Sequence, residues 1–313
     1  MDNYNNSVSL PYLSIIIVSY NTVDILEDCL HSIYSSHWKC SFEVIVVDNN
    51  SHDGSVMMIK DKFKDVVLIE NKENKLFSIA NNQGASIAKG KYLLLLNSDT
   101  LVYGDNIQKM VDFFDKQPDD VVCVGPKILN KDHSLQSCGK PIGKLMERIV
   151  LCFKLHKLFS TRLVRALLLP TLPIGENVTS TVGWVSGSCM LMDAQKYKEV
   201  GGLSEKIEFY GEEPEFAYRT YYKYRYKTMY YANAEIIHLG GQSTKKVPVV
   251  EETSLRRYSL LIKETVGFKT GIKQSRIVIV AAILKRILSS NKQYFTDAIN
   301  YEKKVIEYLK KCQ

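Results

Sequence analysis

The sequence predicts an α/β fold built on a mostly parallel sheet with flanking helices, and three features predict it. Over the first 125 residues, apolar runs short enough to be buried strands alternate with segments whose apolar residues recur at helical spacing. Ser14-Ile-Ile-Ile-Val18 and Leu93-Leu-Leu-Leu96 carry almost no polar positions, as expected of strands covered on both faces. Three runs end abruptly in polar residues: Ser19-Tyr20-Asn21, Asp48-Asn49-Asn50 and Asn97-Ser98-Asp99. Short connections and right-handed crossovers bring those three ends to one rim of the sheet, the edge at which open α/β folds bind ligands.

Taken in order, Ser14 to Val18 is a strand, and Leu26, Cys29, Leu30 and Ile33 mark the helix after it. Phe42 to Val47 is the second strand, closed by the turn-rich Asp48 to Gly54. Val56, Ile59 and Phe63 place a second helix, and Val66 to Ile69 a third strand. Ser78 to Ala88 is helical and leads into the Lys91 to Leu96 strand. Ile107, Met110, Val111 and Phe114 give another amphipathic helix, ended near Pro118, before a strand from Val121 to Val124.

Gly183 to Met192 reads as a further strand, entered by a glycine-flanked bend. Asp193 can cap the helix that follows and Gly201 can end it. Tyr210-Gly-Glu-Glu-Pro-Glu-Phe216 opens a helix running through Arg219, with Pro214 in its first turn. Thr228 to Tyr231 and Ala234 to Ile237 read as two short strands before His238-Leu-Gly-Gly241, and the pattern from about Val249 onward is helical. The expected organisation is one α/β domain over 1–248, with a basic insertion at 144–170, and a helical tail over 249–313.

Composition narrows the setting. The chain is 45% hydrophobic and 24% charged, with a net charge of +7, so it is globular and modestly basic. Its seven cysteines are scattered without a Cys-x-x-Cys pair, which argues against a disulfide framework or a zinc site and makes a reducing cytoplasm the expected compartment. The longest apolar run, Ile277 to Leu284, has eight residues, far below the roughly 20 that span a bilayer. In 144–170, leucine-rich apolar positions alternate with Lys144, Arg148, Lys154, Lys157, Arg162 and Arg165, opposed only by Glu147. Two readings of that segment stand side by side: an amphipathic element lying on an anionic membrane surface, and a helical insertion packed on the domain.

The chemistry concentrates on the rim. No Walker loop and no Gly-x-Gly-x-x-Gly follows the first strand, so a glycine-rich phosphate cradle is not expected. A diphosphate held here needs a divalent cation, and Asp99 is placed to supply a carboxylate to Mg2+ or Mn2+. A turn or helix cap is the simpler account of an Asp in that position. Asp48 can accept from a base or ribose, or close an Asx turn. Glu212, Glu213 and Glu215 crowd the start of one helix, where its dipole alone favours them. Neutral His238 is a common kind of metal ligand.

Together, Ile15-Ile-Ile-Val-Ser-Tyr-Asn21, Val44-Ile-Val-Val-Asp-Asn-Asn-Ser51, Asn81-Asn-Gln-Gly84, Leu94-Leu-Leu-Asn-Ser-Asp99, Gly187, Tyr210 to Phe216 and His238-Leu-Gly-Gly241 resemble the ordered motifs of family-2 inverting glycosyltransferases with the GT-A fold. Within that family they are most similar to bacterial rhamnosyltransferase-like enzymes of surface polysaccharide synthesis. The resemblance covers about residues 13 to 245 without the basic insertion. It implies that Ser19, Asn21, Asp48, Asn50 and Ser98 bind the nucleotide of a UDP- or dTDP-sugar, with Asn82 and Gly84 near the ribose and diphosphate. It implies a metal on Asp99 and His238, and acceptor and donor sugar bordered by Trp184, Gly187 and Glu215.

The family's base is the Asp of a Glu-Asp pair. Here that position is Glu213, with Glu212 beside it as the fallback. Glu and Asp have nearly the same intrinsic pKa, so either can take a proton from an acceptor hydroxyl, but Glu reaches one methylene farther. The implied acceptor is a saccharide, free or lipid-linked, and the implied site of work is the cytoplasm or the inner face of the cell membrane; nothing calls for nucleic acid. Two alternatives differ in class. A catalytically inactive, membrane-associated scaffold would explain Glu213 and the basic segment. A nucleotidyltransferase would need a glycine-rich basic loop after the first strand, which Ser19-Tyr20-Asn21-Thr22 lacks.

Overall fold

A computed structural model describes residues 10–142, 145–155, 171, 173–207, 211–240 and 251–311. Its centre is a ten-stranded sheet ordered β3-β2-β1-β4-β9-β6-β10-β5, with β7 on β6 and β8 on β10. The strands are β1 (Leu13–Ser19), β2 (Phe42–Asp48), β3 (Val67–Glu70), β4 (Tyr92–Asn97), β5 (Thr100–Leu101), β6 (Val121–Leu129), β7 (Leu135–Ser137), β8 (Ser180–Val182), β9 (Cys189–Asp193) and β10 (Lys227–His238). The helices are α1 (Val23–Tyr34), α2 (Ser55–Lys62), α3 (Leu76–Ile87), α4 (Asn106–Phe114), α5 (Leu145–Cys152), α6 (Ala194–Glu199), α7 (Glu212–Arg219), α8 (Glu251–Thr265), α9 (Phe268–Leu288) and α10 (Lys292–Lys311).

The apolar runs are explained by burial on both faces. Leu13, Ile15 and Ile17 of β1 join Leu94 and Leu96 of β4 in one core with Leu26 and Leu30 of α1. Ile16, Leu93 and Leu95 point the other way, into a second core with Ala80 of α3. Successive side chains of a strand alternate between faces, so a strand packed on both sides has no place for a polar residue until it reaches the rim.

β3, β2, β1 and β4 are parallel, as the strand-helix alternation predicts. The second half of the sheet is not. β9 is inserted between β4 and β6 and runs antiparallel to both. The strand at Val121 therefore does not lie beside β4, and the sheet is mixed. The glycine-flanked bend spans Gly183 to Ser188, where Trp184 forms an isolated bridge with Lys140, and Cys189 to Asp193 is the strand it enters. A Cβ on Gly183 would lie 2.2 Å from the Ile142 nitrogen, so this bend is wedged against the 140–142 backbone. The two short strands expected at 228–237 are one continuous strand, β10, with a bulge between Tyr231 and Glu235.

Asp193 does cap α6, accepting from the Lys196 N–H at 2.8 Å. Among the described residues Cys29, Cys40, Cys123, Cys138, Cys152 and Cys189 are free thiols. No helix among the described residues is long and apolar enough to cross a membrane. Most of the basic stretch 144–170, including Lys157, Arg162 and Arg165, lies outside the described residues, as does Tyr210.

The C-terminal helices are tied to the sheet domain through α7, against which α8 packs. Leu261 of α8 sits 3.5 Å from where a Cβ on Gly211 would be. Gly271 lets α9 cross α8 closely, because a Cβ there would lie 2.0 Å from Ile262 Cγ2.

Candidate active site

The parallel register places the rim residues. Ser19 is paired with Asp48, and Val18 with Asn97, so the ends of β1, β2 and β4 stand side by side. Ser19 is fully buried, and its hydroxyl lies 3.3 Å from Thr22 Oγ1, which in turn is 3.5 Å from Ser98 Oγ. Asn21 adopts φ 53° and Asn50 φ 68°; both are left-handed, a conformation Asn tolerates because its short amide can bond locally. The Asn21 N–H donates to Ser51 Oγ at 2.9 Å, and Asn21 Oδ1 accepts from the His52 N–H at 2.8 Å, stitching the first loop to the second.

The two oxygens of Asp48 differ in their surroundings. Oδ1 closes the Asx turn by accepting from the Ser51 N–H at 2.8 Å. Oδ2 is buried and has no hydrogen-bond partner among the described residues. A buried carboxylate oxygen left without a donor is costly unless a ligand supplies one.

Asp99 is brought to His238 by strand pairing. β4 turns at Ser98-Asp99 into β5, and β5 runs antiparallel to β10 with Thr100 opposite His238. The Leu239 N–H donates to the Asp99 carbonyl at 2.9 Å. Asp99 Oδ1 then lies 3.1 Å from His238 Nε2, both side chains nearly buried. Asp99 caps no helix, since α4 begins only at Asn106.

Gln136 fixes which imidazole nitrogen faces Asp99. Its Nε2 donates to the His238 main-chain carbonyl at 2.9 Å and to Asn130 Oδ1 at 2.9 Å. Its Oε1 is therefore turned to His238 Nδ1, 2.6 Å away, and accepts the Nδ1 proton. In the neutral ring that leaves the Nε2 lone pair directed at Asp99 and at Asn97 Nδ2, 3.3 Å away.

The carboxylate oxygen and the imidazole lone pair converge as two donors of the kind divalent cations take, and an amide bonded to the far ring nitrogen, as Gln136 is here, is a usual device for holding a ligating histidine. The pair fits a metal on this observation alone. No group of three or more His, Cys, Asp or Glu residues suited to a metal occurs among the described residues, so the remaining coordination would fall to ligand oxygens and water.

The other wall is α7. The left-handed Gly211 (φ 126°) makes the bend into it, and Glu213 Oε1 accepts from the Gly187 N–H at 3.0 Å. Burial pushes the Glu213 carboxyl above its ordinary value, while the Gly187 N–H and the Lys140 charge pull it back. Gly187 and Ser188 lead directly into β9, and the Ser188 carbonyl accepts from the Asn97 N–H at 3.1 Å. The β9 insertion thus seats Gly187, and through it Glu213, beside the end of β4. Lys140 Nζ stands over the Trp184 ring at 4.8 Å from its centre.

Three expected site residues do other work. Asn82 has all four hydrogen-bonding positions filled: Oδ1 accepts from Tyr197 Oη at 2.6 Å and the Leu203 N–H at 3.0 Å, and Nδ2 donates to the Leu203 carbonyl and Glu205 Oε1, each at 3.0 Å. It clamps α3 to the 197–205 segment and keeps nothing for a nucleotide. Gly84 is needed for packing, since a Cβ would sit 2.5 Å from Ile16 Cγ2. Glu215 is buried with both oxygens held by Arg219, at 2.8 and 3.0 Å, and faces no sugar. Glu212 is buried at the α7 N-terminus. Gln136 and Lys140 were not legible as site residues, because a lone Gln or Lys in a loop carries no motif.

Residues 14–146 match the family described as Glycosyl transferase family 2. Over that stretch the chain is similar to family-2 glycosyltransferases. It is 28% identical over 212 residues to the low-salt glycan biosynthesis hexosyltransferase Agl10 of Haloferax volcanii, covering 66% of this chain and 61% of that one. It is 29% identical to the putative teichuronic acid biosynthesis glycosyltransferase TuaG of Bacillus subtilis, covering 44% of this chain and 52% of that one. The chain therefore spans only about half to three-fifths of the length of these relatives. Its fold is similar to that of the mannosyltransferase PcManGT from Pyrobaculum calidifontis, solved with GDP-Man and Mn2+, with a TM-score of 0.57 at 16% identity over 95% of this chain and 86% of that one. The mixed sheet is a GT-A fold.

Proposed function

We propose that the protein transfers a sugar from a nucleoside diphosphate sugar, UDP- or dTDP-linked, to a hydroxyl of a saccharide or lipid-linked saccharide, with inversion, in the synthesis of a cell-surface polysaccharide. The observation that carries this reading is the convergence on one rim of Asp99 and His238, 3.1 Å apart, with Glu213 held by Gly187 on the facing wall. The names of Agl10 and TuaG support a glycan or surface-polymer product, and the Mn2+ and nucleotide sugar of PcManGT support the donor class and the metal.

Each group has a task in that reaction. Asp48 Oδ2 accepts from the nucleoside, and Ser19, Asn21, Asn50 and Ser98 line its pocket. Asp99 and His238 would hold Mg2+ or Mn2+, which when bound supplies positive charge to the leaving diphosphate. Glu213 takes the proton of the acceptor hydroxyl as that oxygen attacks the anomeric carbon from the face opposite the diphosphate. The new carbon-oxygen bond forms as the bond to the diphosphate breaks, the proton ends on Glu213, and no sugar-enzyme bond is made. A carboxyl raised by burial is the stronger base for this step. Trp184 offers an apolar face to a sugar ring, and Lys140 fixes its orientation. Work at the inner face of the membrane would follow from a lipid-linked acceptor.

The test is a panel of UDP-, dTDP- and GDP-sugars, dTDP-rhamnose included, offered with Mn2+ and candidate lipid-linked acceptors. Nucleoside diphosphate release and an anomeric signal inverted relative to the donor are expected. A product that retains the donor configuration would overturn the mechanism, and absence of thermal stabilisation by every nucleotide sugar would overturn donor binding.

A further inference from the structure

The face of α9 turned away from the domain is not explained by the transferase reading. Lys269, Lys273, Arg276, Val280, Ile283, Leu284 and Ile287 each stand three or four residues from another of the set, so they form a single stripe along the helix. All seven are exposed. The apolar half is unusually bare: Val280 is 50% exposed, Ile283 41%, Leu284 50% and Ile287 70%. The opposite face of the helix is accounted for, with Gly271, Gln274, Ser275, Ala281 and Ala282 buried against neighbouring helices; α9 packs on α10, α5 and α8.

Charge points to the occupant. From Thr265 to Thr296 there is no Asp or Glu, while Lys269, Lys273, Arg276, Lys285, Arg286 and Lys292 contribute six cations. None of these six is in an ion pair among the described residues. At the corner between α9 and α10, in the first turn of α10, Tyr294 is 63% exposed.

We infer that this α9 stripe and the α9–α10 corner dock on an anionic lipid surface, with Ile283, Leu284, Ile287 and Tyr294 entering the acyl boundary and the cations meeting lipid phosphates. The stripe is basic at its N-terminal end and bare aliphatic at its C-terminal end, so an anionic lipid surface offers phosphates to the first and acyl chains to the second. A second copy of the chain is the poorer occupant. Whichever way two such stripes are paired, no carboxylate of either meets the cations, and they repel or are buried unpaired. The surface is distinct from the basic 144–170 stretch and extends the peripheral placement proposed above. Its test uses neither donor nor acceptor, so failure of the transferase reading leaves it standing.

The full chain is spun with vesicles of neutral phosphatidylcholine, with and without about one-third phosphatidylglycerol, at low and high salt. Binding to the anionic vesicles only, weakened by salt, is expected. Ile283→Asn with Ile287→Asn, and separately Lys269→Gln with Lys273→Gln and Arg276→Gln, should each lower partitioning by roughly tenfold or more. All five positions are exposed, so unchanged circular dichroism and melting are expected in both variants. No binding to anionic vesicles, or binding by both variants equal to that of the unmodified protein, overturns the inference. So does concentration-dependent self-association that the Ile283→Asn, Ile287→Asn variant abolishes while lipid binding is absent.

Discussion

The Gly187 N–H donates to Glu213 Oε1 at 3.0 Å, and a Cβ on residue 187 would lie 2.7 Å from that same oxygen. Residue 187 is thus the floor on which the Glu213 carboxylate rests, and a side chain there would displace it. Gly187→Ala should push the Glu213 carboxylate off its seat and reduce kcat by roughly 10²-fold, as misplacement of a reacting group by about 1 Å does. Unchanged donor affinity by calorimetry would locate the loss in the chemical step.

Glu213 itself should set the acid limb of the pH profile. Its carboxyl is raised, chiefly by burial, so it takes up a proton at a higher pH than a free Glu, near 4.3, and activity should fall on acidification before that value is reached. Glu213→Gln should cost about 10²- to 10⁴-fold in kcat at the optimum, the usual range for a general base, and lose the acid limb. Near-normal transfer by Glu213→Gln at every pH would remove Glu213 from the mechanism.

Gln136 is a positioning residue for His238. Replacing it with Leu removes the acceptor at Nδ1 and frees the ring to turn, which should weaken Mn2+ binding by about 10- to 100-fold. Gln136→Glu keeps the acceptor and should restore most of the affinity. Free Mn2+ read by electron paramagnetic resonance measures both without turnover. Chelation by EDTA should abolish activity and Mn2+ should return it.

Asp48 separates turn from ligand. Asp48→Asn keeps an oxygen for the Ser51 N–H, so folding should be nearly unaffected. The buried, unpartnered Oδ2 acceptor is lost, and nucleotide affinity should fall by about 2 kcal/mol, the scale of a hydrogen bond to a charged group. Calorimetry with the nucleoside diphosphate measures the change, and equal affinity of the two proteins would assign Asp48 to the turn alone.

The Glu215–Arg219 pair is expected to act on stability. Both Glu215 oxygens accept from Arg219, whose NH2 group also donates to the Gly202 carbonyl at 2.8 Å and whose NH1 group donates to the Val200 carbonyl. Glu215→Ala leaves a largely buried guanidinium uncompensated and should cost about 3 kcal/mol in denaturant unfolding. A variant that unfolds like the parent but loses sugar binding would return Glu215 to the site.

Much of this protein was determined by the sequence alone. Buried strands must be apolar at every position, so β1, β2 and β4 were visible as uninterrupted runs. Their polar ends had to fall on one rim because parallel strands joined by right-handed crossovers leave no other arrangement. That logic placed Asp48 and Asp99 without any long-range contact. Only the tertiary structure decided what lies opposite them. The antiparallel insertion of β9, the pairing of β5 with β10 that brings His238 to Asp99, and the Gln136 amide behind the imidazole all join segments far apart in the chain, and no local period encodes such pairings. The same limit explains Asn82, Gly84 and Glu215: their residue types suit a nucleotide-sugar site, and the Tyr197, Ile16 and Arg219 side chains that actually engage them become neighbours only after folding.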